Sequence, residues 1–224
     1  MGARLQALAA AVEPGARVAD IGTDHGRLLT LLRQRRAVPV AIGIDRSAAA
    51  LQRTAAELAD AAIELRRGDG LAPLRPGEVD TVVIAGMGAQ SIIGVLERGA
   101  ARWPELTRLV LQPAAQWPSL RAWIAARRFT LQHEAIVWDN HQPNLLCVVA
   151  PGGGGPDPGW DDDDLELDPL LRRRPHDPAY RAWLERRRCA LAAALADAAR
   201  TGAAAELARR DHARVIAALA AGDG

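Results

Sequence analysis

The sequence predicts an α/β protein that combines a mostly parallel, doubly wound sheet with a helical hairpin at its C-terminal end. Strand-like apolar runs alternate with helical patterns over residues 1–150, which is typical of parallel sheets. The last two strand-like runs are separated by a short connection, which favours an antiparallel hairpin. Beyond residue 164 only helical spacing recurs. A chain of 224 residues can bury one core of this kind and a small accessory unit.

Seven apolar runs have the length and composition of strands. They are Arg17–Ile21, Val38–Ile44, Ile63–Arg67, Thr81–Ala85, Leu109–Gln112, Leu131–Val137 and Leu145–Val149. Helical patterns occur at Leu5–Val12, His25–Arg35, Ala48–Asp60, Gln90–Arg98 and Trp117–Arg127. The connection at residues 139–144 is too short for a crossover, so the last two strands should pair antiparallel. Five parallel units closed by a hairpin are typical of class I methyltransferases and not of dehydrogenases.

The C-terminal part of the chain begins with a segment rich in glycine, proline and aspartate. Residues 151–164 end in four aspartates, and we expect no regular structure there. Apolar residues then recur at helical spacing from Tyr180 to Leu195, stop at Thr201-Gly202, and resume from Leu207 to Leu219. This pattern predicts an antiparallel helical hairpin. The predicted organisation is a sheet domain over 1–150, a linker over 151–164 and a coiled-coil-like arm over 165–224, with a helical lid on the sheet as the alternative.

Composition favours a soluble, cytoplasmic protein. Apolar residues make up 49% of the chain, but no run is long enough to span a bilayer and no signal peptide is recognisable. Cys147 and Cys189 are far apart, which favours reduced thiols over a disulfide or a metal site. All 28 basic side chains are arginine, which fits either a codon bias or phosphate recognition. Residues 172–214 hold 11 arginines against five acids, so this stretch is either a solvated helical face or an RNA footprint.

The stretch Asp20–Gly26 (DIGTDHG) follows the first strand and opens a helix, as cofactor-binding turns do. Gly22 and Gly26 allow positive φ and close approach of the backbone to a ligand. Asp20 and Asp24 argue against a pyrophosphate, which prefers bare backbone N–H groups. Carboxylates suit a ligand with a cationic centre, amines and hydroxyls, and S-adenosylmethionine is such a ligand. We therefore interpret the stretch as a methyltransferase cofactor loop rather than a structural turn.

The ends of the second and third strands also carry aspartates. Asp45 lies about twenty residues beyond the first turn, where a carboxylate accepts the ribose hydroxyls of an adenosine. The alternative for Asp45 is a helix N-cap, a role for which Ser47 is equally well placed. Asp69 stands between two glycines, Gly68 and Gly70, and can accept from the adenine amino group. A plain Asp-Gly turn is its alternative.

The fourth and fifth strands end in Gly86-Met87-Gly88 and in Gln112. The two glycines would place bare backbone beside the methyl donor, and Met87 would line the cofactor or pack in the core. This strand end lacks the Asn/Asp-Pro-Pro-aromatic signature of methylation at an adenine amino group. Gln112 could present its amide to a base edge or belong to an ordinary loop.

Together these residues resemble the TrmK-type bacterial tRNA (adenine-N1)-methyltransferases. The matching stretches are Arg17–Gly26 (RVADIGTDHG), Arg67–Leu71 (RGDGL), Asp80–Gly88 (DTVVIAGMG) and Leu109–Pro113 (LVLQP). The resemblance implies a Rossmann-like fold, S-adenosylmethionine, and methylation of N1 of the adenine at tRNA position 22. It also implies a cofactor pocket formed by Asp20, Gly22, Asp24, His25, Gly26, Asp45, Asp69, Gly70, Gly86, Met87 and Gly88. The chain departs from the pattern at Ala114, where the family usually has asparagine, and at residues 140–145.

For this reaction the residues we predict to be catalytic are Asp24, His25 and Gln112. Adenine N1 has a free lone pair, so catalysis requires placement and exclusion of water rather than a base. Asp24 could accept from the exocyclic amine and stabilise the developing positive charge. His25 could contact the substrate or complete a turn at the helix start, and tryptophans could stack on a base splayed out of its stack or lie in the core. The alternatives are a methyltransferase for a small molecule and a cofactor- or RNA-binding protein without turnover.

Overall fold

In the computed structural model, the sheet has seven strands among the residues that the structure describes, which are 2–36, 38–58, 62–152, 158–196 and 202–223. The strands are β1 Arg17–Ile21, β2 Val40–Asp45, β3 Ile63–Arg67, β4 Thr81–Met87, β5 Arg108–Pro113, β6 Thr130–Asp139 and β7 Gln142–Ala150. Their order is β3-β2-β1-β4-β5-β7-β6. β1 to β5 pair in parallel, and β7 pairs antiparallel with both β5 and β6. The predicted mostly parallel sheet with an antiparallel hairpin is confirmed.

Eight α-helices are present in the described ranges, together with a 3₁₀ helix at Ala100–Glu105. They are α1 Ala3–Ala10, α2 Arg27–Arg36, α3 Ala48–Glu57, α4 Ala89–Arg98, α5 Trp117–Ala126, α6 Asp162–Leu167, α7 Pro178–Ala196 and α8 Ala203–Ala220. Three predicted features fall partly outside the described residues: the end of Ala48–Asp60, residues 153–157 of the linker, and Thr201. α2 begins two residues later than predicted because His25 and Gly26 both have positive φ, at 57° and 61°.

Strand β1 is an inner strand of the sheet, next to the central strand β4, and the order in which strands are added reverses beside it. Val18 pairs with Ala41 on one side and with Thr81 on the other. The neighbouring residues Val18 and Ala19 point to opposite faces and are both fully buried, so both faces of the sheet are covered. Crossovers between parallel strands are right-handed, so helices before and after this reversal lie on opposite faces. A crevice for a ligand is expected at the carboxyl ends of the strands beside β1.

The connection between β6 and β7 is tighter than the sequence indicated. The strands extend to Asp139 and from Gln142, which leaves a turn of two residues, Asn140 and His141. Both have positive φ, at 48° and 59°, as the type I′ turn common in two-residue hairpins requires. The tip of this hairpin therefore has a defined conformation at the edge of the sheet.

The prediction that the aspartate run has no regular structure is wrong. Asp162–Leu167 forms helix α6, and Asp161 is its N-cap in a reciprocal capping box with Asp164. Carboxylates in a first turn are favoured by the helix dipole, which composition alone did not indicate. The Arg172 guanidinium further stabilises the run by pairing with Asp161 at 3.2 Å and with Asp164 at 2.6 Å.

The chain divides into two compact units, Met1–Gly159 and Trp160–Gly224. In the second unit α7 and α8 form the predicted antiparallel helical hairpin. Arg181, near the start of α7, donates to the Leu219 carbonyl at 3.2 Å near the end of α8 and pairs with Asp223 at 2.6 Å. The assignment of a separate arm to 165–224 after a linker at 151–164 stays a prediction. No helix of the described residues is both long and apolar enough to cross a membrane.

Candidate functional site

Two adjoining clefts lie at the carboxyl ends of the parallel strands. The first has a volume of about 450 Å³ and lies between the ends of β1, β2 and β4 and the helix α4; its lining includes Gly22, Asp45, Asp69, Gly70 and Met87. The second, of about 350 Å³, lies between β1, α1 and the hairpin tip; its lining includes Gly22, Asp20, Asp24, Arg4 and Asp139. Gly22 lines both, so one elongated ligand can occupy both clefts across the loop after β1.

The loop after β1 depends on the absence of a side chain at Gly22. This residue has φ +79°, and a Cβ there would collide with Met87 Cε across the cleft. The Gly22 N–H donates to the Ile44 carbonyl at 2.8 Å, and the Thr23 N–H donates to the same oxygen at 3.3 Å. The loop is thereby attached to the end of β2, and its backbone is exposed to a ligand.

Asp20 and Asp24 bring two carboxylates to the second cleft in different environments. Asp20 is 7% exposed, and burial together with the nearby carboxylates of Asp24 and Asp45 raises its pKa to about 6. Asp24 has a side chain that is 79% exposed. A ligand cation next to Asp20 would lower the cost of ionising this buried acid, so the site is suited to a positively charged group.

His25 and Gly26 make contacts within the protein, and the prediction that they contact the cofactor stays a prediction. The His25 ring bonds Glu57 through Nδ1 and lies 3.2 Å from Asp24 through Nε2. Gly26 packs against α3 so closely that a Cβ would collide with Leu58. Neither residue lines either cleft. His25 completes the turn and attaches the loop to α3, as the alternative stated for it expects, and its catalytic role stays a prediction.

Asp45 lies in the first cleft and is not the N-cap of α3. Its Oδ1 accepts the Ser47 N–H at 2.7 Å, and Ser47 is itself the N-cap, accepting the Ala50 N–H at 3.2 Å. This division of roles leaves the remaining carboxylate surface of Asp45 at the end of β2. The position is that expected for a residue that binds ribose hydroxyls.

Asp69 also lies in the first cleft, where its carboxylate is held by an arginine. Arg98, at the end of α4, donates from Nη2 to Oδ1 and lies with Nε near Oδ2, each at 3.0 Å. Gly70 follows with φ +57°, and a Cβ there would come within 2.9 Å of Val95 Cγ1. Because each carboxylate oxygen has two lone pairs, Asp69 can still accept a hydrogen bond from a ligand. Arg98 was not predicted, since nothing in the sequence links it to a residue 29 positions earlier.

The Gly86-Met87-Gly88 turn contains a β-bulge between Ala85 and Met87. Gly86 has φ +77°, and Met87 lines the first cleft. Gly88 lies at the N-cap position of α4, where its carbonyl accepts the Ile92 N–H at 3.1 Å. Gly86 and Gly88 are not in the lining of either cleft, and their contact with the cofactor stays a prediction. They shape the turn that places Met87.

Gln112 is buried, and its amide is held by hydrogen bonds within the protein; its contact with a substrate base stays a prediction. Its Oε1 accepts from Arg4 Nη1 at 2.9 Å and from the Gly86 N–H at 3.1 Å, and its Nε2 donates to the Pro113 carbonyl at 3.1 Å. The same carbonyl accepts from Trp117 Nε1 at 3.2 Å. Gln112 therefore connects α1 to the bulge after β4.

Several residues of the clefts were not predicted, because they come from elements remote in sequence. Arg4 belongs to α1, and Asp139 and Asn140 belong to the hairpin tip. The Asp139 Oδ1 accepts the Ala3 N–H at 3.2 Å, which joins the start of α1 to the hairpin. The only sequence signal was the polar connection at 139–144, and it did not indicate which side chains face the cleft.

A methyltransferase domain family model matches residues 1–144, almost two thirds of the chain. The chain belongs to the methyltransferase domain family. Among curated relatives, the tRNA (adenine(22)-N(1))-methyltransferase of Bacillus subtilis is 31% identical over 153 residues. The match covers 66% of this chain and 64% of that protein, so it spans less than two thirds of the relative. The predicted resemblance to TrmK-type proteins is confirmed.

Solved structures of this family have the same fold over nearly the whole chain. Sp1610 of Streptococcus pneumoniae has a TM-score of 0.89 at 24% identity, with 98% of this chain and 99% of that chain covered. TrmK of M. capricolum, in complex with S-adenosyl-homocysteine, has a TM-score of 0.81 at 16% identity, with 97% of both chains covered. The Bacillus subtilis m1A22 methyltransferase TrmK has a TM-score of 0.75 at 24% identity and covers 100% and 97%. The predicted Rossmann-like methyltransferase fold is confirmed.

Proposed function

We propose that this chain binds S-adenosylmethionine across the two clefts and transfers its methyl group to N1 of an adenine in tRNA. The observation that carries the proposal is the arrangement of carboxylates around Gly22, with Asp45 and Asp69 in one cleft and Asp20 and Asp24 in the other. The name of the Bacillus subtilis relative supports the adenine at position 22 as the target. A further Sp1610 structure contains S-adenosyl-L-methionine, which supports the cofactor.

The residues present fit this cofactor. In the proposed complex Asp45 accepts the ribose hydroxyls, and Asp69, held by Arg98, accepts from the adenine amino group. The buried Asp20 carboxylate balances the α-ammonium group. When bound, the cofactor supplies a methyl group on a sulfonium centre. A pyrophosphate would meet four carboxylates in these clefts, so the charges disfavour a dinucleotide.

The chain's own part in the reaction is to orient the acceptor and to stabilise charge. Adenine N1 needs no deprotonation, so no general base is required. Asp24, exposed in the second cleft, is placed to accept from the exocyclic amine and so to stabilise the positive charge that develops on the ring. The rest of the rate enhancement comes from two effects: the protein aligns the methyl donor with adenine N1, and it excludes water from the site.

The exposed arginines of the second compact unit favour a polyanionic substrate. Arg172, Arg187 and Arg214 pair with carboxylates of α6 and with Asp211, so part of its basic charge is neutralised internally. Arg173 and the adjacent pair Arg209 and Arg210 are exposed. We propose that these exposed side chains contact tRNA phosphates, and that the protein acts in the cytoplasm, where tRNA is modified.

Transfer of labelled methyl groups to unmodified bacterial tRNA tests the proposal, with the modified nucleoside identified by mass spectrometry. We expect N1-methyladenosine, and a tRNA with guanosine at position 22 should remain unlabelled. Binding of the cofactor without transfer would refute the proposed acceptor and favour a small-molecule substrate or a protein without turnover. In Asp24→Ala, we expect a lower rate at saturating cofactor; an unchanged rate would remove Asp24 from the mechanism.

A further inference from the structure

Asp24, which we expect to stabilise charge on the target adenine, has little packing around it. Its side chain is 79% exposed, and an exposed carboxylate that nothing holds samples several rotamers. A group that accepts a hydrogen bond in the transition state has to be oriented before the reaction begins. Some neighbouring group must therefore orient this carboxylate.

His25 is the neighbour that contacts Asp24. Its Nε2 lies 3.2 Å from Asp24 Oδ1, and its Nδ1 bonds Glu57 Oε1 at the end of α3. An imidazole ring that is protonated on both nitrogens donates to both carboxylates, so the ring links Asp24 to the helix. Within the described residues Asp24 Oδ2 takes part in no hydrogen bond or ion pair, so it is available to a ligand.

The end of α3 is firmly attached to the loop that carries His25. Leu58 follows Glu57 and packs so closely against Gly26 that a Cβ on the glycine would lie 2.6 Å from Leu58 Cδ2. The Leu58 N–H also donates to the Thr54 carbonyl at 3.0 Å, which fixes the last turn of the helix. Glu57 is thus held beside His25 by packing and backbone hydrogen bonds that involve neither ring nitrogen.

Two features of this arrangement are locally unfavourable. His25 has φ 57°, a backbone conformation that a residue other than glycine adopts at a cost. Glu57 is the last residue of α3, where the helix dipole disfavours a carboxylate. Neither residue stabilises its own turn or helix, yet the two contact each other. Strained residues of this kind concentrate at functional sites, which favours a part in the reaction over a purely structural contact.

We infer that His25 and Glu57 are positioning residues for Asp24. His25 orients the Asp24 carboxylate toward the exocyclic amine of the target adenine, and Glu57 holds the His25 ring. The inference rests on the proposed function, since it names the residues that orient the charge-stabilising acid of that reaction. It gives α3, which lines neither of the two clefts, a part in methyl transfer.

A double-variant cycle on the rate of methyl transfer tests this inference, with the full chain at saturating S-adenosylmethionine and unmodified tRNA. Glu57→Gln keeps the size of the side chain but removes its charge, and we expect the rate to fall about three- to tenfold because Asp24 is less well oriented. In the Asp24→Ala background the same substitution should change the rate by less than about twofold, since the oriented group is absent. Cofactor affinity of Glu57→Gln, measured by calorimetry, should stay within about twofold of that of the unsubstituted chain.

His25→Asn is the second variant, because asparagine tolerates the left-handed backbone conformation but is too short to link Asp24 to Glu57. It should lower the rate at least as much as Glu57→Gln does, and again only when Asp24 is present. Glu13→Gln is the matched control. Glu13 pairs with Arg108 at 2.7 Å in the same compact unit and lines neither cleft, so its substitution should leave the rate unchanged.

The opposite outcomes overturn the inference and are distinguishable from one another. Equal relative losses of rate with and without Asp24 would show that Glu57 supports the fold rather than Asp24. An unchanged rate in both Glu57→Gln and His25→Asn would show that Asp24 needs no such support. A normal rate of N1-methyladenosine formation in Asp24→Ala would leave the proposed function standing without this inference. If the unsubstituted chain transfers no methyl group, the proposed function fails and the inference fails with it.

Discussion

At the scale of single residues, the site depends on acids and glycines whose properties come from their surroundings. Asp20 has a pKa near 6 because burial disfavours its charge. Gly22 has positive φ and faces Met87 across the cleft. Neither property is visible in the residue type, yet each has a measurable consequence.

The raised pKa of Asp20 predicts that both stability and cofactor affinity depend on pH. Between its ordinary value of 3.8 and about 6, the folded chain binds more protons than the unfolded chain, so this group lowers stability as pH rises through that range. A cationic ligand needs the ionised form, so affinity should fall below pH 6. Calorimetry at pH 5.5 and 7.5 should show this loss for the unsubstituted chain. Asp20→Asn should bind weakly at both values; an equal pH dependence in this variant would contradict the assignment.

Gly22→Ala should weaken cofactor binding, because φ is +79° and the new Cβ displaces the flexible end of the Met87 side chain, which lines the first cleft. Gly15 is a matched control, since it has φ +80° with no atom within 4 Å of a built Cβ. Gly15→Ala should therefore cost only the backbone strain, about 1–2 kcal/mol, and leave binding unchanged. Thermal unfolding and ligand titration of both variants separate strain from collision. Normal binding by Gly22→Ala would refute the placement of the ligand against this loop.

At the scale of elements, the acidic run forms helix α6 because side chains of the run satisfy the backbone N–H groups at its N-terminus. Asp161 and Asp164 cap each other's backbone N–H groups, and arginines of the following segments pair with the carboxylates. Composition indicated only a polar, flexible stretch. The difference shows that charge density by itself does not predict disorder when counter-charges are close in the fold.

Asp161→Ala removes the N-cap of α6 and should lower stability by about 1 kcal/mol. Hydrogen exchange should then increase in α6 before the sheet is affected. Asp162→Ala is the control, because Asp162 is 82% exposed and takes no part in the capping box. Equal effects of the two substitutions would indicate that total charge rather than capping stabilises α6.

A buried ion pair connects α5 to the β6–β7 hairpin. Arg121 Nε lies 3.1 Å from Glu134 Oε1, and both side chains are fully buried. The Cys147 thiol, 3.9 Å from the same oxygen, has a pKa raised well above its usual value by burial and by the Glu134 charge. Its surroundings therefore make this thiol a poor nucleophile.

Removal of one partner of this pair should destabilise the fold strongly. Glu134→Leu removes the carboxylate that pairs with the buried Arg121 charge and should cost about 3–5 kcal/mol in urea unfolding. The double variant Arg121→Met with Glu134→Leu should recover most of the loss, since two apolar side chains pack without desolvated charge. A double variant as unstable as the single one would show that the pair determines the packing of the hairpin.

At the scale of the whole molecule, the proposed reaction requires a substrate larger than the clefts. We expect Arg209→Glu with Arg210→Glu to raise the KM for tRNA and to reduce the salt dependence of binding, because two exposed cations would no longer displace counterions. Affinity for the cofactor should not change. The control is Arg53→Glu, an exposed arginine on α3 in the other compact unit. An equal rise in KM for the control would mean that net charge alone is responsible.

Sequence by itself determined the order of strands and helices and the stretches that line the clefts. Strands β1 and β3 begin and end as the apolar periodicity predicted, and the polar residues after β1, β2 and β3 follow from the rule that ligands bind at carboxyl ends of parallel strands. These features are local, or follow from the topology of any doubly wound sheet.

Tertiary structure alone decided which of these residues line the two clefts. His25, Gly26 and Gln112 have the residue types of a site but are committed to Glu57, α3 and the bulge after β4. Arg4 and Arg98 enter the clefts from helices whose sequence carries no such signal. The physical reason is that a hydrogen bond or an ion pair depends on distance in space, and partners in this fold are separated by up to 136 positions in the chain.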